Sequence, residues 1–153
     1  MYAAWKAVHI FGVVLFMGNI IATALWKARA DRSGNLATVG FAQRAVAAAD
    51  RVLTLPGIVL IIVSGYAMAG IGHLPLHGLR WLEWGQALFY AAAIIWLAVL
   101  VPAQRRLIAL SDAGRRAGSL DPAFHRLSRR WAMWGGIATL LPLAALVLMV
   151  TKP

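Results

Sequence analysis

The sequence has no cysteine, and only 13% of its 153 residues are charged. Without cysteine there is no disulfide framework, no thiolate metal site and no thiol redox chemistry. Acidic residues are scarcer than basic ones, with five in all: Asp31, Asp50, Glu83, Asp112 and Asp121. None stands at short spacing from another, so the paired carboxylates of acid–base hydrolysis are missing. A Gly-rich phosphate loop, a nucleophile elbow and a zincin motif are missing too. Hydrolase and nucleotide chemistry are therefore disfavoured.

What is present is apolar. Hydrophobic residues make up 61% of the chain, more than a water-soluble domain of this size can cover with polar surface. A bilayer core demands roughly 20 uncharged residues per helical crossing. Four such runs, 7–26, 52–71, 84–103 and 131–151, contain no Asp, Glu, Lys or Arg. Each is long enough to cross about 30 Å of hydrocarbon at about 1.5 Å per residue. The first run is longer than the roughly 7 to 15 apolar residues of a signal peptide, and its basic residues follow it, so it reads as a retained span.

The net charge of +10 in a soluble chain would suggest nucleic acid, but here the charges are sorted by side. Twelve of the fifteen basic residues fall on the connections after the first and third runs. Only Lys6, Arg80 and Lys152 lie on the other side. The positive-inside rule puts the twelve in the cytoplasm, and puts both termini and the 72–81 loop outside. The partners expected are the bilayer and anionic lipids at the cytoplasmic face, with no nucleic acid. The fold expected is all-α: a single integral membrane domain over residues 1–153, an up-down-up-down four-helix transmembrane bundle with spans about 5–26, 50–71, 82–104 and 130–151.

Tryptophans mark the span ends, as amphipathic rings do at headgroup level: Trp5 and Trp26, Trp81 and Trp84, Trp131 and Trp134. Residues 31–35 form a turn cluster, and the Ala-rich 36–49 stretch extends the second helix into the cytoplasm. Asp121 followed by Pro122 is an N-cap with proline at N1, so the fourth helix begins before its span. Pro56, Pro102 and Pro142 read as helix kinks.

Polar groups inside a span are expensive unless they face other helices, so they indicate the inward stripes. Helical steps of three and four join Lys6, His9, Gly12, Phe16, Asn19 and Thr23 on the first helix, and Asp50, Thr54, Gly57 and Ser64 on the second. On the third they join Glu83, Gln86, Tyr90, Ala93, Leu97 and Gln104. The fourth carries mainly small or apolar groups and reads as structural. Near the outer face His9, with Lys6 one turn away, is a candidate haem ligand, proton carrier or metal ligand, or else a histidine that hydrogen-bonds a neighbouring helix. His73 or His77 would be a second axial ligand or part of a metal site, or else exposed loop residues, since Pro75 between them opposes a regular helix. Asn19, Glu83, Gln86 and Tyr90 are candidates for a polar cavity. Towards the inner face, Asp50 is expected to form ion pairs with Arg105, Arg129 and Arg130 that fix the helix ends. His125 reads as a solvated residue on a basic face.

The Tyr2–Val14 segment (YAAWKAVHIFGVV), the entry Asp50-Arg51-Val52-Leu53-Thr54-Leu55-Pro56-Gly57, Gln104 and the terminal Leu148–Pro153 segment (LMVTKP) resemble a bacterial family of small predicted integral membrane proteins of unknown function. That resemblance runs nearly end to end. More distantly, Lys6-Ala7-Val8-His9-Ile10 resembles the opening helix of HemJ-type protoporphyrinogen oxidases and of copper-resistance D-like membrane proteins. This second likeness implies haem b held by His9, with Lys6 in support and no metal beyond the haem iron. The lysine of the HemJ-type third helix has no counterpart, and Glu83 and Gln86 stand in that region. Three functions are thus in competition: a haem b protein of the bacterial inner membrane acting in electron transfer or oxidation, a transporter or accessory subunit with a polar cavity and no cofactor, and an assembly partner. The second implies oligomers, and the partners expected include a homo-oligomer or a larger membrane complex.

Overall fold

Four apolar stretches separated by turn residues become four long helices in the computed structural model, which describes Met1–Lys152. They are α1 (Tyr2–Arg32), α2 (Leu36–Ile71), α3 (Arg80–Ala117) and α4 (Pro122–Thr151), each long and apolar enough to cross a membrane. No strand occurs among the described residues. The chain is a four-helix transmembrane bundle, as the charge-free runs require.

Capping chemistry sets where the helices start. Asn35 accepts a bond from Thr38 N at 3.0 Å and opens α2 well before its apolar run. Asp121 accepts from Ala123 N at 2.6 Å, with Pro122 at the first helical position, so α4 also begins early. Helix α3 likewise continues past its span to Ala117. At about 1.5 Å per residue, the 36 residues of α2 and 38 of α3 exceed a bilayer core, and both project at the end rich in arginine. At the opposite, terminal end, Tyr2 lies beside Gly72, and Lys152 Nζ sits 5.2 Å over the Trp81 ring. The 72–79 connection is not helical, and His73 there has a positive φ of 50°.

The prolines act differently from simple kinks. Asp50–Thr54 in α2 and Trp96–Leu100 in α3 are π turns, and Pro56 and Pro102 follow each by two residues. A proline has no N–H and its ring clashes with the carbonyl four residues back. Widening the preceding turn by one residue absorbs the misfit: Leu55 N bonds Asp50 O and Val101 N bonds Trp96 O, each five residues apart. Pro142 sits within a continuous α4.

Packing is uneven along the bundle. Helix α1 lies against α2, and α3 against α4. Gly12 and Gly57 bring α1 and α2 into close approach: a Cβ on Gly12 would stand 2.9 Å from Leu60 Cβ, and one on Gly57 3.0 Å from Phe16 Cβ. The main apolar core fills the arginine half, where Val39 and Val46 of α2 meet Leu100 and Leu107 of α3 and Phe124 and Trp131 of α4. In the terminal half α2 and α3 do not pack backbone to backbone. They are bridged there by the Tyr66–Tyr90 hydroxyl bond of 3.0 Å, and Phe16 of α1 stacks edge-on to Phe89 of α3 at 5.7 Å.

The inward stripe of α3 differs from the one read through its polar residues. Leu82, Gly85, Ala92, Leu100 and Gln104 are buried, whereas Glu83, Tyr90 and Leu97 are exposed. Close packing on α4 selects the small and apolar side chains. Glu83 turns back to the preceding connection and Tyr90 reaches across to Tyr66 of α2, while Gln104 stays buried.

Candidate functional site

Asp50 opens the π turn of α2 and is 6% exposed. Its carboxylate collects four donors from three helices. Oδ1 accepts from Asn19 Nδ2 at 3.1 Å and Thr54 Oγ1 at 2.9 Å, and Oδ2 from Gln104 Nε2 at 2.6 Å and Trp96 Nε1 at 3.3 Å. Asn19 Nδ2 also donates to Thr54 Oγ1 at 2.8 Å. Every donor is neutral. The expected ion pairs of Asp50 are not formed: Arg105, Arg129 and Arg130 are exposed and stand in no salt bridge among the described residues. Long arginine side chains at a helix end reach water or headgroups at little expense, whereas a carboxylate held between helices is satisfied by groups that are buried with it.

A second buried cluster lies one level nearer the arginine end. Lys27 is 2% exposed. Its Nζ donates to Asp31 Oδ2 at 2.5 Å and Ser128 Oγ at 2.6 Å, and Gln43 Nε2 donates to Asp31 Oδ1 at 3.1 Å. Aromatic faces complete the shell, with Lys27 Nζ 5.0 Å from the Trp131 ring centroid and 6.0 Å from that of Phe124. This cluster ties α1 to α2 and α4.

Beside both clusters runs a cleft of about 640 Å³, walled mainly by α1, α3 and α4, with Val46 and Asp50 of α2. Asp50, Trp96 and Gln104 form part of its wall, and Lys27, Asp31 and Ser128 stand at its arginine end. Most of the remaining lining is apolar or small, including Ile20, Ala24, Ala92, Ala132, Gly135 and Gly136. Ile21, Leu25 and Leu140, at its rim, are more than half exposed on helix surfaces of the membrane-spanning stretch, so the cleft opens sideways. Trp131 also lines it, and its Nε1–H is buried without an acceptor.

The polar residues towards the terminal end occupy separate positions. His9 is half-buried, and its Nδ1 bonds Ile61 O at 3.1 Å and Ser64 Oγ at 3.0 Å on α2. Ser64 Oγ itself donates to the Leu60 carbonyl. Lys6 is exposed. Glu83 folds back on the connection, accepting from Gly78 N at 2.8 Å with His77 Nδ1 at 4.0 Å, while His73 and His77 are exposed. Tyr90 is paired with Tyr66, and Gln86 is half-buried. None of these residues lines the large cleft. Asn19, one of the expected cavity groups, instead reaches it through Asp50. Among the described residues no group of three His, Asp or Glu side chains could hold a metal ion.

Residues 3–153 match the family described as predicted integral membrane protein (DUF2269). The chain belongs to that family. No curated protein and no solved structure matches it.

Reading by sequence passed over Lys27, Asp31, Gln43, Trp96 and Ser128. Lys27 and Asp31 are four apart at a helix end, a spacing that signals a pair, but they sit among exposed basic residues and a turn. Trp96 was hidden because an indole in an apolar run reads as packing. On helix α4, Ser128, Trp131, Gly135 and Gly136 make one side of the cleft.

Proposed function

We propose that this chain is a non-enzymatic binding or transport component of a bacterial inner membrane, with termini outside, that takes an apolar or amphiphilic small molecule from the bilayer into the cleft between α1, α3 and α4. The observation that carries this reading is the cleft itself. Its volume of about 640 Å³ falls within the range of small-molecule sites, roughly 300 to 1,000 Å³. Its mostly apolar lining suits a lipid-soluble guest. Lys27, Asp31, Asp50, Gln104 and Ser128 are among the few polar side chains of that lining and would orient one. Twelve basic residues on one side support the topology. As a four-span unit it would act as a homo-oligomer or within a larger membrane complex.

The test is to fill the cleft without disturbing its walls. A Cβ added at Gly135 or Gly136 meets nothing within 4 Å, so Gly136→Leu projects into open space. Uptake of an environment-sensitive apolar dye by the purified protein should fall several-fold in Gly136→Leu, with the melting temperature held. Equal dye uptake by both proteins would remove the proposal.

One observation favours a second reading, in which His9 holds haem b. The Nδ1 of His9 is engaged by the Ile61 carbonyl and Ser64, which leaves Nε2 as the ring nitrogen for a ligand. Gly65 lies beside the ring, 3.5 Å from Cε1 to a Cβ placed there. His9 would hold the iron from α1, with Lys6 near the same end and His73 or His77 as the second ligand; the group would supply one-electron chemistry when bound. Purified protein, made with ample haem, would show a Soret band lost in His9→Ala; a colourless preparation rules this reading out.

A further inference from the structure

A smaller pocket of about 460 Å³ opens between α1 and α4 at the arginine end. It shares Ala28, Asp31, Ser128 and Ala132 with the large cleft, so the two are continuous. Its character is opposite. Arg32, His125 and Arg129 line it, all exposed, and neither arginine stands in a salt bridge among the described residues. The one acid present, Asp31, is already matched by Lys27 at 2.5 Å. The pocket therefore carries uncompensated positive charge at one end of an apolar slot, just beyond the charge-free runs 7–26 and 131–151.

We propose that the occupant of the cleft is an anionic membrane lipid, its phosphate held by Arg32 and Arg129 and one acyl chain laid between α1 and α4 over Ala28, Ala132 and Gly136. Charge complementarity and continuity of the two pockets commit the site to a lipid. A free phosphate would use the basic pocket and leave the apolar slot unfilled. A guanidinium pair matches phosphate oxygens in fork geometry, and His125 adds a third donor. The small residues let the chain approach both helix backbones. On this view the Lys27–Asp31–Ser128 cluster is the floor on which the headgroup rests, neutral as a unit, so it does not repel the phosphate. The inference rests on the cleft being a binding site.

The full chain is purified in detergent and its retained lipids are counted by native mass spectrometry after addition of phosphatidylglycerol, phosphatidylcholine or inorganic phosphate. Wild type should hold phosphatidylglycerol about ten-fold more tightly than phosphatidylcholine, as two basic side chains at a headgroup allow. Arg32→Gln with Arg129→Gln should bring the two lipids close to parity. Arg115→Gln with Arg116→Gln, exposed at the end of α3 and outside both pockets, should leave the preference intact. If the second pair reduces it as much as the first, the basic end attracts anionic lipid without a site and the inference falls. Competition by inorganic phosphate at the same concentration would also overturn it. Gly136→Leu should weaken both lipids; if it does so while the arginine pair has no effect, the cleft remains a binding site and only the headgroup assignment is lost. If Gly136→Leu changes neither lipid, both readings fail together. The exchanged arginines are exposed, so the fold is expected to stand, and a wild-type check needs no variant: a photoreactive acyl chain should label Ala132 or Gly136, and labelling confined to Val59 and Val63 on the far face of α2 would overturn the site.

Discussion

Trp96 Nε1 donates to Asp50 Oδ2 at 3.3 Å, and this bond joins the first residues of the two π turns in the protein. Each turn precedes a proline by two residues, so the same backbone irregularity occurs in α2 and α3 and is cross-linked side chain to side chain. The widened turns coincide with the main polar hub of the bundle, with Gln104 and Asn19 completing it. Such π turns are commonly found at functional positions. Here Asp50 and Trp96, the first residue of each turn, form part of the cleft wall.

The hub should matter more for folding than its size suggests. Asp50→Leu takes the acceptor from Thr54, Gln104 and Trp96 and leaves Asn19 only its bond to Thr54, at about 1 to 3 kcal/mol for each orphaned group. A loss of about 4 kcal/mol is expected, and the unfolding midpoint in detergent should fall steeply. Trp96→Phe removes only the longest of the four bonds and should cost about 1 kcal/mol. A Trp96→Phe protein as unstable as Asp50→Leu would show that the indole acts by packing alone.

Much of this was open to sequence reasoning, and the reasons for the remainder are physical. The four crossings follow from charge-free length, the early start of α2 from the Ala-rich 36–49 stretch, and that of α4 from Asp121 as a cap. Gly12, Asn19, Asp50, Thr54 and Gln104 were singled out as inward groups, and they are buried. What periodicity could not supply was the partner of Asp50. Counting arginines near it suggested an ion pair, but side-chain reach decides the outcome: arginines at the helix ends extend away, and amides within the bundle stay. On α3 a polar stripe was a poor guide, because in lipid the helix–helix interface favours small residues such as Gly85 and Ala92 over polar ones. The cleft was hidden altogether, since it exists by the separation of α1 from α4, which no local pattern encodes.

The close approach of α1 and α2 gives a paired prediction. A side chain on Gly12 collides with Leu60 Cβ and the Gly57 carbonyl, neither of which can move away cheaply. Gly12→Leu should destabilise by about 3 kcal/mol, the upper end of overpacking effects. Gly18 lies on the same helix with nothing within 4 Å of its Cβ position, so Gly18→Leu should be tolerated. Thermal denaturation of the two variants side by side checks the contrast. Similar losses in both would mean that α1 does not dock through Gly12.

Topology carries its own expectation. If the arginine-bearing connections lie in the cytoplasm, a cysteine introduced at Lys152 of this cysteine-free chain should react with an impermeant maleimide added to intact cells. One introduced at Ser119, in the α3–α4 connection, should react only after the cells are opened. The reverse pattern would invert the bundle and place the basic pocket at the outer leaflet.

The buried Lys27–Asp31 pair should behave as a unit. Asp31→Asn removes the charge that matches Lys27, which is 2% exposed, and leaves an unpaired ammonium among Trp131, Phe124 and Ser128. Breaking one side of a buried pair costs about 3 kcal/mol or more, whereas replacing both by neutral groups of similar volume is often close to neutral. Lys27→Met with Asp31→Asn should therefore be more stable than Asp31→Asn alone, by about 2 kcal/mol, despite carrying one more substitution. The measurement is a double-mutant cycle on unfolding midpoints in one detergent. Strict additivity of the two single effects would mean that Lys27 and Asp31 are solvated independently, and that the floor of the basic pocket is not neutral.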